Sequence, residues 1–220
     1  MPDGAWRRAR LADAPLYLCT DRRADPGRLA AFLAAVLAAG VDLVQLRDKE
    51  ATPDEVRAAA PVFRALADQH GALFILNDDP ALALACGADG VHVGQDDPDP
   101  DQARAVVGPD LLIGRSTHST EEFDRGLEED CDYLAVGPVH ATPTKAGRSG
   151  VGLNPVRHAA TAGTDRPWFV TGGMSEETAP AVLAAGGTRL VVVRRLTGAL
   201  DPAAAAARLA HLLRAGDLPD

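Results

Sequence analysis

The chain has 220 residues, 46% of them hydrophobic and 24% charged, which is typical of a globular protein and excludes a disordered or fibrous one. There are 22 Lys and Arg against 31 Asp and Glu, a formal net charge of −9, and the aromatic residues are five Phe, two Trp and two Tyr. We therefore expect no nucleic-acid partner and no membrane-surface partner. Three cysteines without metal-type spacing suggest free buried thiols in a cytoplasmic protein. Residues 1–14 carry arginines but no hydrophobic stretch after them, so we expect no secretory signal.

Short apolar runs that alternate with helical stretches indicate eight strands. The predicted strands are Leu16–Cys19, Leu43–Arg47, Leu73–Asn77, Gly90–Val93, Leu112–Ser116, Tyr133–Val136, Trp168–Thr171 and Arg189–Val193. Apolar residues at three- and four-residue spacing predict helices between them. The predicted helices are Arg28–Ala39, Pro53–Gln69, Pro80–Cys86, Asp101–Val107, Thr120–Glu129, Glu176–Ala185 and Pro202–Arg214.

Strands that alternate with helices predict a parallel sheet covered by helices. Eight units in 220 residues leave about 27 residues for each, enough for one strand, one helix and two short loops. The sequence therefore predicts an α/β fold, a single-domain (β/α)8 TIM barrel at residues 15–216, after an N-terminal extension at residues 1–14. A doubly wound open sheet is the alternative, although no Gly-x-Gly-x-x-Gly follows the first strand.

The second strand alternates apolar and polar residues. Because side chains alternate across a strand, Val44 and Leu46 should face the helices, and Gln45 and Arg47 the barrel interior, with Lys49 continuing the same line. Such a group of cations would be very costly inside a barrel without an anionic partner. We expect an anionic ligand there, and an internal salt bridge is the alternative.

Carboxylates follow the third and fourth strands. Asp79 fits the cap of a helix that begins at Pro80, whereas Asp78 is placed to face the barrel mouth. Asp96 and Asp97 follow the next strand, at the same end of the barrel. Two Asp from neighbouring strand ends can hold a hard cation such as Mg2+, completed by water and phosphate oxygens.

The ends of the later strands carry hydroxyls, a histidine and cations. Ser116 is predicted to bind a ligand, while Ser119 and Thr120 are predicted to cap the next helix. His118 is either a general acid/base or a hydrogen-bonding residue at the edge of the site. The loop 137–152 is rich in Gly, hydroxyls and cations, and it fits a flap that closes on phosphate. Backbone N–H groups at 172–173, after the seventh strand, can approach a phosphate.

Together these motifs resemble the thiamine phosphate synthase family over nearly the whole chain. They are Gln45-x-Arg47-x-Lys49, Asn77-Asp78, Gly94-Gln95-Asp96-Asp97, Ser116-Thr117-His118, Thr142-Pro143-Thr144-Lys145 and Gly172-Gly173. The resemblance implies a transferase that joins 4-amino-2-methyl-5-(diphosphooxymethyl)pyrimidine to hydroxyethylthiazole phosphate, or to its carboxylated form. The products are thiamine phosphate and pyrophosphate.

The resemblance also implies a role for each matching residue. The pyrimidine diphosphate is bound by Gln45, Arg47, Lys49, Asn77, Ser116 and Lys145. The implied catalytic residues are Lys145, Arg47, Lys49 and Ser116, and the Mg2+ ligands are Asp78 and Asp97. The thiazole phosphate is bound by Thr142, Thr144, Gly173, Val193 and Arg194. This chain departs from the family at Arg194, where a serine is usual.

Two other functions fit the same fold. One is a thiazole tautomerase, which would use a histidine such as His118 for proton transfer, and the other is a non-catalytic barrel that binds thiamine phosphates. The 142–145 loop and the Asp pairs favour the synthase, because a tautomerase has no diphosphate to bind. We expect small phosphorylated pyrimidine and thiazole substrates, and a homo-oligomer is compatible with the sequence.

Overall fold

A computed structural model of the chain describes residues 3–142 and 149–215. Within these residues eight strands form a closed parallel barrel, in which each strand pairs with the next and the last pairs with the first. The strands are β1 (Leu16–Thr20), β2 (Leu43–Leu46), β3 (Leu73–Asn77), β4 (Gly90–Val93), β5 (Leu112–Thr117), β6 (Tyr133–Val136), β7 (Trp168–Val170) and β8 (Leu190–Val192). The (β/α)8 prediction is confirmed, and the open-sheet alternative is wrong.

Helices connect the strands and cover the outside of the barrel. They are α1 (Gly4–Ala12), α2 (Pro26–Ala38), α3 (Pro53–His70), α4 (Pro80–Ala85), α5 (Pro100–Val107), α6 (Thr120–Glu128), α7 (Asn154–Thr161), α8 (Ala179–Ala184), α9 (Arg194–Thr197) and α10 (Pro202–Ala215). Three helices, α1, α7 and α9, are not among those predicted from the sequence. The predicted start of α8 was also too early, because Ser175 donates its backbone N–H to Thr178 Oγ1 and forms a turn there.

The side-chain alternation predicted for β2 is present. Val44 and Leu46 pack into the core between sheet and helices, while Gln45 lies inside the barrel. The inner core contains Tyr17, Tyr133 and Phe169, whose rings contact one another edge to face. These three aromatic side chains fill the barrel below the ends of the strands.

The N-terminal helix α1 closes the end of the barrel where the strands begin. It does so through an ion pair that recurs before three of the strands. An aspartate directly precedes each of β2, β4 and β6, and it accepts the backbone N–H of a residue on the preceding odd-numbered strand. Each aspartate also binds one arginine of α1. The three pairs are Arg10–Asp42 at 2.8 Å, Arg7–Asp89 at 3.0 Å and Arg8–Asp132 at 2.8 Å. Before β8 the equivalent residue is Arg189, which donates to the Ala12 carbonyl at 2.6 Å.

Two further features of the structure are the state of the cysteines and the apolar length of the helices. None of the three cysteines forms a disulfide bond; Cys19 and Cys131 are buried as expected, while Cys86 is half-buried. Over residues 3–142 and 149–215, no helix combines the length and the apolar character needed to cross a membrane.

Candidate active site

A cavity of about 350 Å³ opens at the carboxyl ends of the strands. Its volume lies within the range of small-molecule sites. It is lined by residues from both halves of the barrel. Those that the sequence analysis had singled out are Gln45, Arg47, Asn77, Ser116, Thr142, Gly173, Val193 and Arg194. The structure therefore brings most of the predicted site residues to one place.

Gln45 and Arg47 reach this cavity because they occupy alternate positions on one strand. Gln45 is buried, and its Nε2 donates to Tyr17 Oη at 2.6 Å. Arg47 is half-buried, and its backbone N–H continues the barrel pairing by donating to the Thr20 carbonyl at 2.8 Å. Within residues 3–142 and 149–215, the Arg47 guanidinium makes no ion pair, so a cation without a counter-ion from this part of the chain faces the cavity.

Lys49 and Asp78 lie beside the main cavity rather than in it. Both line a smaller cavity of about 120 Å³, and Asn77 lines both cavities and so connects them. Lys49 Nζ is 3.0 Å from Asp78 Oδ2. A salt bridge is therefore present at Lys49, but its side chains are 56% and 33% exposed, so it is not the internal one expected as the alternative to an anionic ligand. Asp78 has a φ of +69°, a backbone conformation that is uncommon for residues other than glycine.

Asp97 completes a pair of carboxylates with Asp78. Its Oδ2 accepts the backbone N–H of Gly94 at 2.7 Å. Burial raises the pKa of Asp97, and the neighbouring Asp78 carboxylate raises it further, while the Gly94 N–H and Lys49 lower it. Two carboxylates held this close repel each other when both are ionised, and a bound cation relieves that repulsion.

Three other polar residues that follow strand ends make local hydrogen bonds. Asp79 accepts the Leu82 backbone N–H and caps α4, and Ser119 caps α6, as predicted. His118 is not among the residues that line the main cavity. Its Nδ1 contacts the Gly137 carbonyl.

The glycines after β7 form the opposite wall of the cavity. Gly172 has a φ of +100°, and a Cβ at this position would lie 2.5 Å from Pro138 Cα. Gly173 has a φ of +73° and lines the cavity directly. Only glycine meets both the backbone conformation and the close approach at Gly172.

Arg195 fixes this wall to the end of β8. Its guanidinium binds Glu176 in a bidentate pair, at 2.5 Å and 2.7 Å, and Arg208 of α10 binds the same carboxylate at 3.1 Å. The neighbouring Arg194 is exposed and begins α9, with its side chain at the edge of the cavity. The loop after β7 and the start of α9 are therefore held together.

Comparison with known proteins identifies the family, and the similarity covers most of the chain. The sequence pattern of a family described as thiamine monophosphate synthase matches residues 16–196. The chain belongs to this family. It is 51% identical over 209 residues to the thiamine-phosphate synthase of Thermobifida fusca (strain YX), covering 94% of this chain and 95% of that one. The thiamine-phosphate synthase of Mycobacterium sp. (strain KMS) is 49% identical over 212 residues, covering 92% of this chain and 94% of that protein.

A solved structure extends this similarity to three dimensions. The thiamine phosphate pyrophosphorylase from Pyrococcus furiosus superposes with a TM-score of 0.82 at 31% sequence identity, covering 95% of this chain and 98% of that chain. In this chain, five of the six family motifs lie wholly within the described residues. The sixth begins at Thr142, which lines the cavity, while its predicted site residues Thr144 and Lys145 lie outside the described residues.

For this member of the thiamine monophosphate synthase family, the structure adds cavity residues that the sequence analysis missed. They are Tyr17, Cys19, His92, Ala135, Pro138, Thr171, Met174, Ser175, Val191 and Arg195. Side-chain alternation along the strand, which predicted the inward residues of β2, would also have predicted the first three of these. Tyr17 and Cys19 point inward from β1, and His92 points inward from β4. Motif spacing alone carried no signal for them, because each is a single polar or aromatic residue in an apolar strand.

Proposed function

We propose that this protein is a thiamine-phosphate synthase, a transferase that joins 4-amino-2-methyl-5-(diphosphooxymethyl)pyrimidine to hydroxyethylthiazole phosphate or its carboxylated form. The observation that carries this proposal is the single cavity lined by Gln45, Arg47 and Ser116 on one side and by Gly173 and Val193 on the other. One side offers an amide, a guanidinium and a hydroxyl for a pyrimidine diphosphate. The other offers backbone N–H groups for a phosphate.

The proposed reaction is a dissociative substitution. The bond between the exocyclic methylene carbon of the pyrimidine and the bridging diphosphate oxygen breaks, and its electron pair leaves with pyrophosphate. The electron-rich aminopyrimidine stabilises the resulting benzyl-like cation. The lone pair of the thiazole nitrogen then forms the new C–N bond, so no protein nucleophile is required. With the carboxylated thiazole, the carboxyl group also leaves as CO2.

The residues around the leaving group contribute positive charge where negative charge grows. Arg47 faces the cavity, and Lys49 lies beside it on the diphosphate side. Groups fixed before the reaction stabilise the departing anion without having to reorganise. Lys145 is proposed to act with them from the loop after β6. Asn77 lines both cavities and is placed to bind the substrate between ring and diphosphate.

The carboxylate pair of Asp78 and Asp97 fits Mg2+. A hard cation takes oxygen ligands, and Mg2+ is commonly held by one or two carboxylates together with substrate phosphates and water. The raised pKa of Asp97 reflects burial and the repulsion that such a cation would relieve. Bound Mg2+ would supply charge neutralisation for the pyrophosphate leaving group.

The thiazole phosphate is proposed to bind at the wall formed by the ends of β7 and β8. Thr142 contributes a hydroxyl, and the backbone N–H groups of Gly173, Val193 and Arg194 are available at the same side of the cavity. Thr144 is proposed to contribute a second hydroxyl. The guanidinium of Arg194 replaces the serine usual in the family and can add a charge-assisted hydrogen bond to phosphate. We further infer a cytoplasmic location, because three cysteines without a disulfide bond suit a reducing compartment.

The test is pyrophosphate release measured with both substrates, with each substrate omitted in turn, and with and without Mg2+. We expect release only when both substrates and Mg2+ are present, and a loss of about a hundredfold or more in the Asp78→Asn variant. The Asp79→Asn variant is the matched control, because Asn also caps helices and this carboxylate serves α4. Product binding without turnover would favour the non-catalytic barrel. Isomerisation of a thiazole without pyrophosphate release would favour the tautomerase.

A further inference from the structure

A continuous chain of hydrogen bonds crosses the interior of the barrel beneath the cavity. It begins at Gln45 Nε2, which contacts Tyr17 Oη at 2.6 Å, and passes to Tyr133 Oη at 3.0 Å. Tyr133 Oη contacts His92 Nδ1 at 3.2 Å, and His92 Nε2 contacts Ser116 Oγ at 2.9 Å. The chain therefore connects a cavity residue on β2 with one on β5.

The middle of this series of hydrogen bonds is buried. Tyr133 is 0% exposed and Tyr17 is 1% exposed, so water is excluded from the middle of the chain. Burial also raises the pKa of both phenols, which keeps both protonated and able to donate. A buried hydroxyl that lost its partner would carry a desolvation penalty, so each bond constrains the next.

The donor and acceptor roles follow from the chemistry of each group. An amide nitrogen only donates, so Tyr17 Oη accepts from Gln45. Among the described residues the remaining partner of the Tyr17 hydroxyl is Tyr133, which therefore receives its hydrogen. Within the described residues, the only hydrogen-bond partners of the Tyr133 hydroxyl are Tyr17 and His92. Having accepted from Tyr17, Tyr133 therefore donates to His92 Nδ1.

This order fixes the tautomer of His92. With Nδ1 accepting, the ring hydrogen is on Nε2 and is donated to Ser116 Oγ at 2.9 Å. The Ser116 oxygen is then an acceptor within the chain, and its own hydrogen is available to a ligand. Ser116 lines the cavity, whereas Tyr133 does not.

We propose that Tyr133 is a positioning residue, whose hydroxyl holds His92 in the Nε2–H tautomer and so directs the Ser116 hydroxyl hydrogen into the cavity toward the pyrimidine diphosphate. This inference rests on the proposed function for the identity of the ligand. Tyr133 lies outside the cavity, and its effect should be confined to the pyrimidine diphosphate.

The first experiment compares steady-state kinetics of the wild type and the Tyr133→Phe variant. Loss of this hydroxyl leaves two buried partners unsatisfied and frees the His92 tautomer, so kcat/KM for the pyrimidine diphosphate should fall about ten- to a hundredfold. The KM for the thiazole phosphate should not change. Wild-type kinetics for the pyrimidine substrate in the variant would overturn the proposal.

The matched control is Phe169→Leu. Phe169 packs against both tyrosines at ring distances of 5.4 Å and 5.6 Å, is fully buried and does not line the cavity. This variant should lower thermal stability while leaving both KM values unchanged. If Tyr133→Phe behaves in the same way, losing rate only in proportion to its unfolded fraction, the residue is merely structural and the proposal is wrong.

The second experiment observes the tautomer directly. Two-bond ¹H–¹⁵N correlation spectra distinguish the two nitrogens of each of the six histidines, and the His92 signals are assigned by their absence in His92→Gln. We expect a single Nε2–H form in the wild type and a mixture in Tyr133→Phe. An Nδ1–H form in the wild type would overturn the proposal. If the wild type releases no pyrophosphate, the proposed function fails, and the spectra still decide the tautomer.

Discussion

The ammonium of Lys49 lies 3.0 Å from Oδ2 of Asp78, so the cation proposed for the diphosphate and a carboxylate proposed for Mg2+ are paired with each other. The side chains are 56% and 33% exposed. An ion pair at this level of exposure contributes about 1 kcal/mol or less. A magnesium diphosphate can therefore separate the two groups, taking the carboxylate to the metal and the ammonium to the phosphate.

The first prediction concerns the competition between Lys49 and a metal for Asp78. In the Lys49→Met variant without substrate, the affinity for Mn2+ should rise about threefold, because the competing cation is gone. Mn2+ prefers the same oxygen ligands as Mg2+ and its free concentration is measured by electron paramagnetic resonance. Pyrophosphate release by the same variant should fall about a hundredfold.

The control for this prediction is Arg22→Met. This variant removes a nearby positive charge that pairs with Asp48 and Glu55 rather than with Asp78. Its affinity for Mn2+ should change less than that of Lys49→Met. Unchanged or weaker binding of Mn2+ by Lys49→Met would mean that the pair does not compete with the metal.

The second prediction concerns Asp97→Asn. A carboxyl group whose pKa is raised by folding contributes stability below its unfolded pKa, and this contribution is lost as the pH rises through the folded value. At a pH above the folded value, Asp97 therefore adds no such stability, and the Asn oxygen can still accept the Gly94 N–H. The thermal midpoint of the variant without ligands should be equal to or above that of the wild type.

The same variant should lose the stabilisation that Mg2+ and pyrophosphate give to the wild type. A ligand at ten times its dissociation constant stabilises a protein by about 1.4 kcal/mol, and we expect less than half of that in Asp97→Asn. Thermal unfolding with and without the two ligands measures the difference. The exposed Asp54→Asn is the control and should keep the full shift. A full shift in Asp97→Asn would exclude Asp97 as a metal ligand.

The third prediction concerns Gly172→Ala. The added Cβ would meet Pro138 Cα at 2.5 Å, so the wall proposed for the thiazole phosphate must move. We expect kcat/KM for that substrate to fall about tenfold or more, by analogy with the strong dependence of rate on substrate position. Gly71→Ala is the control, because its φ is +63° but, among the described residues other than its own chain neighbours, no atom lies within 4 Å of the new Cβ. Equal activity losses in the two variants would show that the contact with Pro138 is unimportant.

The fourth prediction concerns the helix that closes the barrel. Arg7→Ala removes a guanidinium that is 4% exposed from Asp89, which is 0% exposed but keeps Arg64 as its other cation at 2.7 Å, and should lower the free energy of unfolding by about 2 kcal/mol. Arg8→Ala removes a side chain that is 44% exposed and should lower it by about 1 kcal/mol or less. Urea unfolding measures both values. The specific activity of the folded fraction should not change, and a loss of activity in Arg7→Ala beyond the unfolded fraction would contradict this.

The sequence determined the barrel, the order of its strands and the inward positions of Gln45 and Arg47. These features follow from local rules, because strand and helix periodicity and side-chain alternation each act over a few residues. The caps at Asp79 and Ser119 were predictable for the same reason, since each cap bonds a backbone group three residues away. The family motifs located the cavity because they end strands that meet at one face.

The tertiary structure alone decided which side chains are partners. Arg7 and Asp89 are 82 residues apart, and Tyr17 and Tyr133 are 116 apart, so no local pattern connects them. Closure of the barrel brings them into contact, and burial then makes each of these polar contacts necessary. For the same reason Lys49 and Asp78 were predicted from the sequence as separate site residues. Only the packing of two neighbouring strand ends makes them an ion pair.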